Sequence, residues 1–363
     1  AAAREDRPWI IVEADSRSAE RRRAELGFFA PASLPLLSLP DWEVLPYDVF
    51  SPHPDITSER LLALAELPHA RRGVLIVSVD TLLQRLPPKP YVAGRSFSLS
   101  VGDTLALDAF KLRLTEAGYC SVSQVTDPGD FALRGSLLDV YPMGTTSPLR
   151  IDLFDDEIEA IRRFDPQTQR SGDSLASVRL LPAREIPLDG DSVRAFRRRY
   201  RTRFEGDPTR SAIYRGVSDG MAPAGIEFYL PLFFEETATL FDYLPDGAVI
   251  VDATFSLETV IGRSWEALRA RYDDRCGDIE RPLLKPEELF IDETTVMAAC
   301  HSHPRVTIDT FARDDESSLG THAPRELRID ARAERPLAPL KDFLDSYPGR
   351  VLLAADSPGR REV

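Results

Sequence analysis

Cysteine is scarce. Cys120, Cys276 and Cys300 are three residues scattered over a chain of 363. They are too few and too far apart for a disulfide framework, and they fit a reducing cytoplasm. Lysine is thin as well: it occurs at Lys89, Lys111, Lys285 and Lys341, and arginine supplies the rest of the 45 basic side chains. That bias reads as base composition more than function. No glycine is followed by lysine, so the phosphate-cradling pattern G-x-x-x-x-G-K-[ST] is missing. No apolar run is long enough to span a membrane, and no secretory signal pattern opens the chain. Ala1-Ala2-Ala3 stand where a Met would begin, which points to a chain trimmed at its start. Positive charge is also in deficit. Against those 45 basic residues stand 59 acidic ones, a net charge of −14 and a pI near 5.0. Such a chain does not grip duplex phosphates over a broad surface, although local basic patches are compatible with it.

What is present is enough for real cores, at 43% hydrophobic residues. The length is a prior for two or three domains. Trp9–Val12 and Val74–Val79 read as buried strands. Asp15 or Ser16 caps a helix over Ser18–Leu26, and Asp80-Thr81 opens another that Pro87-Pro88 stops. This strand–helix alternation predicts an α/β layer with a parallel sheet over residues 1–95. Residues 96–183 are expected to form an inserted β-rich α+β domain. It starts with a strand at Phe97–Val101 and a helix at Leu107–Ala117 that Gly118 stops. Tyr119–Val125 comes next, and Val178–Glu185 returns the chain to the first layer. Residues 184–315 complete the α/β domain, with a buried strand at Ala248–Asp252. Residues 316–363 hold a linker and the start of a further α/β domain, in which the chain stops. The linker is read over 313–324, a helix at Leu337–Ser346, and a strand at Val351–Ala355 with a helix after Asp356. That last pair echoes the strand–acid–helix start at Trp9, a weak sign of a repeated unit.

The chain is organised around Asp130–Asp165. Leu137–Tyr141 is a short strand closed by Pro142-Met143-Gly144, Leu149–Phe154 is the next, and Asp155-Asp156 turns the chain into Glu157–Phe164. Alternation puts Leu149, Ile151 and Leu153 on the core face and Arg150, Asp152 and Phe154 on the solvent face. A phenylalanine beside an arginine on a polar face is the anomaly. It can pack under a neighbouring loop, or it can anchor a partner.

Three further sets of residues look chemical. His53 and Asp55 sit in a turn of Pro52 and Pro54 with no third ligand nearby, so a turn with polar neighbours is a simpler reading than a metal site. Asp191–Arg203 crowds six arginines onto one helix. A nucleic-acid surface is one reading, and a solvated face that packs on its arginine stems is the preferred one. Cys300, His301 and His303 cluster without a second ligand pair at zinc-finger spacing.

R-G-S-L-L-D-V-Y-P at 134–142, R-I-D-L-F-D-D-E-I-E at 150–159 and F-D-x-x-T-Q at 164–169 form a long and specific motif. It resembles the second domain of the excision-repair protein UvrB, and still more the matching domain of the bacterial transcription-repair coupling factors (Mfd). L-P-Y-D-x-F-S-P-H at 45–53 and G-I-E-F-Y-L-P-L-F-F at 225–234 resemble the same family. In UvrB a DNA-inserting β-hairpin follows Tyr47-Asp48; here Asp55 and Thr57 run straight into a helix at Ser58–Leu67, with no room for it. At the strand end where a helicase ATPase carries Asp-Glu to hold Mg²⁺, this chain has Asp252 followed by Ala253. Phe290-Ile291-Asp292-Glu293 mimics that pair by chance.

The resemblance implies a degenerate helicase (RecA-like) α/β domain split by an inserted UvrA-binding domain. It implies no catalytic residues, no nucleotide or metal site and no cofactor in this chain. ATP and Mg²⁺ would serve the translocase motor of the longer parent protein, which would also carry the contacts to RNA polymerase and DNA. The resemblance leaves open whether the parent's C-terminal domain masks the UvrA-binding surface. The UvrA-binding residues carried over from the motif are Arg134, Arg150 and Phe154. All three are expected to be exposed, with the aromatic between two guanidinium groups. The rival readings are a UvrB-type or helicase ATPase fragment, and a scaffold without a partner of its own.

Overall fold

The structure is a computed structural model and describes residues 2, 5–308, 327 and 334–351. The linker expected at 313–324, the strand expected over 351–355 (beyond Val351) and the helix after it lie outside the described residues. Residues 1–309 form one compact unit and 310–363 a second. Within the second, Ala338–Ser346 is a helix.

Thirteen strands are formed among the described residues. They are β1 Pro8–Glu13, β2 Leu36–Leu39, β3 Gly73–Ser78, β4 Phe97–Ser100, β5 Cys120–Ser121, β6 Asp130–Arg134 and β7 Leu137–Val140. After these come β8 Leu149–Phe154, β9 Glu157–Phe164, β10 Ser171–Leu175, β11 Ser177–Leu180, β12 Val249–Asp252 and β13 Arg305–Thr307. A five-stranded sheet has the order β13-β12-β1-β3-β2 and is parallel throughout. Its central strands are the apolar runs W-I-I-V and V-L-I-V. All six residues of β3 are buried, as expected for a strand covered on both faces. The helix Ser16–Phe29 packs on β1 and β3, and the helix Pro54–Glu66 packs on β2. The α/β layer read from the sequence is therefore present. Asp80-Thr81 does sit in a helix, but that helix is the single turn Val79–Leu82.

The insert is a six-stranded sheet in the order β10-β9-β8-β7-β6-β5. It is antiparallel except where β5 runs parallel to β6. Of the segment Tyr119–Val125, Cys120-Ser121 alone pairs as a strand. The helix Leu107–Glu116 buries Phe110 and Leu114, and Phe110 meets Phe97 edge-on at 5.5 Å. The exit strand β11 does not rejoin the parallel sheet. It pairs antiparallel with the entry strand β4, so the two crossings into the insert form a two-stranded stem.

One core runs through both parts. The turn Pro142-Met143-Gly144 is where the insert seats on the α/β layer. Gly144 N–H donates to Ser58 Oγ at 2.7 Å. At φ +81°, a Cβ on Gly144 would lie 3.0 Å from Leu62 Cδ1, so glycine is what lets the turn reach the helix. Beside it, Arg60, with no exposed surface, donates to Glu185 Oε1 at 2.5 Å and to the Pro40 carbonyl at 2.6 Å.

Candidate protein-docking face of the inserted sheet

The outward face of the six-stranded sheet is laid out in rows by its register. Ala132, Asp139, Arg150 and Arg162 are directly opposite one another across β6, β7, β8 and β9. One pleat on lies the row Arg134, Leu137, Asp152 and Ala160. One further on, Phe154 faces Glu157 beside the Asp155-Asp156 turn. Rows are about 6.6 Å apart and neighbouring strands about 4.8 Å. All three sequence-derived residues thus share one face. Arg134 lies two strands from Asp152, and Arg150 and Phe154 are about 13 Å apart.

Their environments differ. Phe154 is 71% exposed, and its alternation partners Leu149, Ile151 and Leu153 are buried, as the pattern predicts. Arg134 is exposed at the end of β6 and donates from Nη2 to the Ser123 carbonyl. Arg150 departs from the expectation. Its Nε and Nη2 donate to the two Asp139 oxygens at 2.8 and 2.9 Å, and Nη1 donates to the Gln169 carbonyl at 3.2 Å. Its guanidinium stacks 4.9 Å from the Phe164 ring centroid. The side chain of Arg150 is 17% exposed and that of Asp139 2%. Hydrogen bonding from Asp139 raises the Arg150 pKa above its ordinary value, against the cost of burial. Phe164, which stacks on Arg150, belongs to a small apolar cluster with Val125, Ala132, Val122 and Tyr141. With the Gln169 carbonyl it covers a residue that alternation assigns to solvent. The spacing also differs from the expected one. Asp152, paired with Arg162 at 2.6 Å, stands between Arg150 and Phe154, and the phenylalanine occupies a corner and not the middle.

The carboxyl ends of β1 and β12 meet where a nucleotide would sit in an open α/β sheet. A helix N-terminus offers free N–H groups to an anion, but here the Asp15 carboxylate accepts from Ser18 N at 2.7 Å. Glu13, 3% exposed, accepts from Arg22 Nε at 2.7 Å. Asp252, 4% exposed, accepts from the backbone N–H and hydroxyl of Thr254 at 3.0 and 2.7 Å. Three carboxylates, Glu13, Asp15 and Asp252, therefore gather at these strand ends. His53 caps the helix Pro54–Glu66, its Nδ1 accepting from Asp55 N at 3.3 Å. In the helix Gly190–Arg203, Val193, Phe196 and Tyr200 are buried. Arg203 forks onto Glu288 at 2.7 and 2.5 Å, Arg199 donates to the Leu232 carbonyl at 3.1 Å, and Arg197 and Arg201 lie beside the Tyr214 ring.

Residues 97–186 match the family model of the UvrB interaction domain. Over 360 residues, 98% of this chain, it is 40% identical to the transcription-repair-coupling factor of Haemophilus influenzae. It is 39% identical over the same share to that of Escherichia coli. This chain is a homologue of the transcription-repair-coupling factors. It spans 31% of the length of those two relatives. The coupling factor of Mycobacterium bovis is 34% identical over 67% of the chain. The match to the interaction domain covers the whole six-stranded sheet, so Arg134, Arg150 and Phe154 all fall inside it. Among the described residues, no helix is long and apolar enough to cross a membrane.

Proposed function

We propose that this chain is the UvrB-like, non-catalytic part of a cytoplasmic transcription-repair coupling factor, and that the outward corner of its inserted sheet holds UvrA. In this reading it serves transcription-coupled nucleotide excision repair by recruiting UvrA to stalled RNA polymerase. The ATP-driven motor and the contacts to polymerase and DNA belong to the longer protein. The observation that carries the reading is Phe154. It is an aromatic side chain 71% exposed at a hairpin end, with Arg134 on the same face. Burying it on a partner contributes about 1–2 kcal/mol from apolar area alone, and Arg134 adds a charge-assisted fork for a carboxylate. Arg150 supports the face from beneath through Asp139.

The carboxylates at the strand ends favour a binding module over an ATPase fragment, because Glu13, Asp15 and Asp252 oppose a triphosphate where a cradle would be needed. The test is the affinity for UvrA of Phe154→Ala and Arg134→Ala, each first shown to melt like the parent chain. A loss of about 2 kcal/mol, roughly thirtyfold, is expected for Phe154→Ala. Unchanged affinity in both variants would place the interface elsewhere, and a scaffold role would then be the better reading.

A further inference from the structure

The L-P-Y-D motif has no part in the docking face, yet it is held with unusual care. Tyr47 has φ +62° and is buried. The carbonyls of Pro46, Tyr47 and Asp48 each accept from a different arginine, Arg271, Arg275 and Arg281. Arg275 also pairs with the Asp48 carboxylate at 3.6 Å. This loop forms one wall of a cavity of about 390 Å³, within the size range of small-ligand sites. The loop between β2 and the helix Pro54–Glu66 supplies Asp41 through Pro46, and the helix Leu257–Arg275 supplies Ser264, Ala267, Leu268 and Arg271.

The chemistry of the walls is specific. Leu45, Pro46, Phe228, Leu268 and Phe290 are apolar. Three carboxylates, Asp41, Glu43 and Asp80, face one guanidinium, that of Arg271, which is already spent on the Pro46 carbonyl at 3.0 Å. Two wall residues carry buried polar atoms with no hydrogen-bond partner: Oε1 of Gln84, 3% exposed, and Nε1 of Trp42, 4% exposed. Such atoms are costly and uncommon in a folded protein. Burial holds the Asp41 carboxyl above its ordinary pKa, with Asp80 adding to the rise and Arg60 opposing it. The Gln84 amide donates to Asp41 at 2.6 Å, and the Ser264 hydroxyl donates to Asp80 at 2.6 Å, which fixes both carboxylates in place.

We propose that this cavity is a binding site for a guanidinium group on an apolar stem, the arginine side chain of a partner protein segment. The stem lies on the leucine, proline and phenylalanine walls. The planar donor fork meets Asp41 and Asp80, which with Glu43 set three carboxylates against the one guanidinium of the cavity. A flat cation fits this set better than a point charge, because its N–H groups diverge in one plane toward several oxygens. The site is separate from the docking face of the insert, and its test does not involve UvrA.

Isothermal titration of the chain with benzamidine and with N-acetyl-arginine-N-methylamide tests it, with benzyl alcohol and n-butylammonium as neutral and point-charge controls. Both guanidinium-type probes are expected to bind saturably, and both controls at least tenfold more weakly. Asp41→Asn should weaken the probes at least tenfold. Ala267→Trp, which fills the mouth from an exposed helix position, should abolish binding in a chain that keeps its melting temperature. That second variant keeps the test decisive even where Asp41→Asn unfolds. No saturable binding, equal binding of benzyl alcohol, benzamidine binding without the arginine amide, or full binding by Ala267→Trp would each overturn the proposal.

Discussion

Arg150→Ala separates a structural arginine from a docking one. The substitution removes two hydrogen bonds to Asp139, at 2.8 and 2.9 Å, and the stacking on Phe164. It leaves the Asp139 carboxylate, 2% exposed, without a partner. Breaking a buried ion pair from one side costs about 3–5 kcal/mol. The lower end, about 3 kcal/mol, applies here because Arg150 itself keeps 17% of its side-chain surface. At roughly 2.1 cal/mol/K of unfolding entropy per residue, a unit spanning residues 1–309 shifts by about 1.5 °C per kcal/mol, so a fall of roughly 4–5 °C is expected. Replacing both partners by apolar side chains, Asp139→Leu with Arg150→Met, should restore most of that loss, since no charge is then stranded. Thermal denaturation followed by circular dichroism measures both. An Arg150→Ala melting temperature within about 2 °C of the parent would refute the buried-pair reasoning. The double variant then carries the functional question. If it melts like the parent and binds UvrA at parental strength, Arg150 acts only through the fold of the face. If it folds but has lost UvrA, the guanidinium touches the partner.

Phe154→Ala, by contrast, should leave the melting temperature within about 2 °C, and a larger drop in calorimetry would mean that its ring is packed. Burial pushes the Glu227 carboxyl up to about 7, with Glu185 adding to the rise and the hydroxyl of Ser51, which donates to it, opposing it. Its folded form holds a proton that the unfolded chain has lost, so stability falls as pH rises from about 4.5 to 7, by up to about 3 kcal/mol. Glu227→Gln should remove that slope in melting curves between pH 5 and 8; a parallel slope in both chains would contradict it. Gly225→Ala should cost at least about 2 kcal/mol, because φ is +76° and a Cβ would lie 2.1 Å from Arg281 Nη2 and 2.8 Å from the Asp48 carbonyl; a denaturant midpoint equal to the parent's would exclude that clash. Asp15→Gly costs only a few tenths of a kcal/mol as a cap. Mg-ATP titration should nonetheless stay flat in both chains, because Glu13 and Asp252 remain; micromolar binding by either would sink the electrostatic reading of the strand ends.

The elements that were legible in the sequence have strong local periodicity. β8 and β9 occupy the spans that alternation assigns them, and β1 and β3 each lie within a residue or two of their apolar runs. Of the two caps the sequence offers for the first helix, Asp15 is the one used, and Ser16 is already the first residue of the helix. What could not be read depends on partners far along the chain. β2 is four residues between Pro35 and Pro40, and it is a strand because β3 pairs with it. β10, S-G-D-S-L, has no strand character of its own and is formed by pairing with β9. The β4–β11 stem joins residues about eighty positions apart.

The candidate site shows the same limit at the scale of one side chain. Alternation says which face a residue occupies, and for Arg134, Arg150 and Phe154 it does so consistently with the register. It cannot say whether that face is covered. The cover over Arg150 comes from Phe164, at the end of β9, and from the Gln169 carbonyl in the turn that follows it. A clue was present in Asp139, a carboxylate in the middle of the apolar run L-L-D-V. An acid placed there must be paired if the strand is to be buried, and the residue opposite it in a hairpin with β8 is Arg150. An arginine required by a buried aspartate is a weaker candidate for a free docking group than one with no such obligation. By that criterion Phe154, which the fold leaves uncovered at the hairpin end, and Arg134, bound only to one loop carbonyl, are the residues on which a partner's affinity should depend.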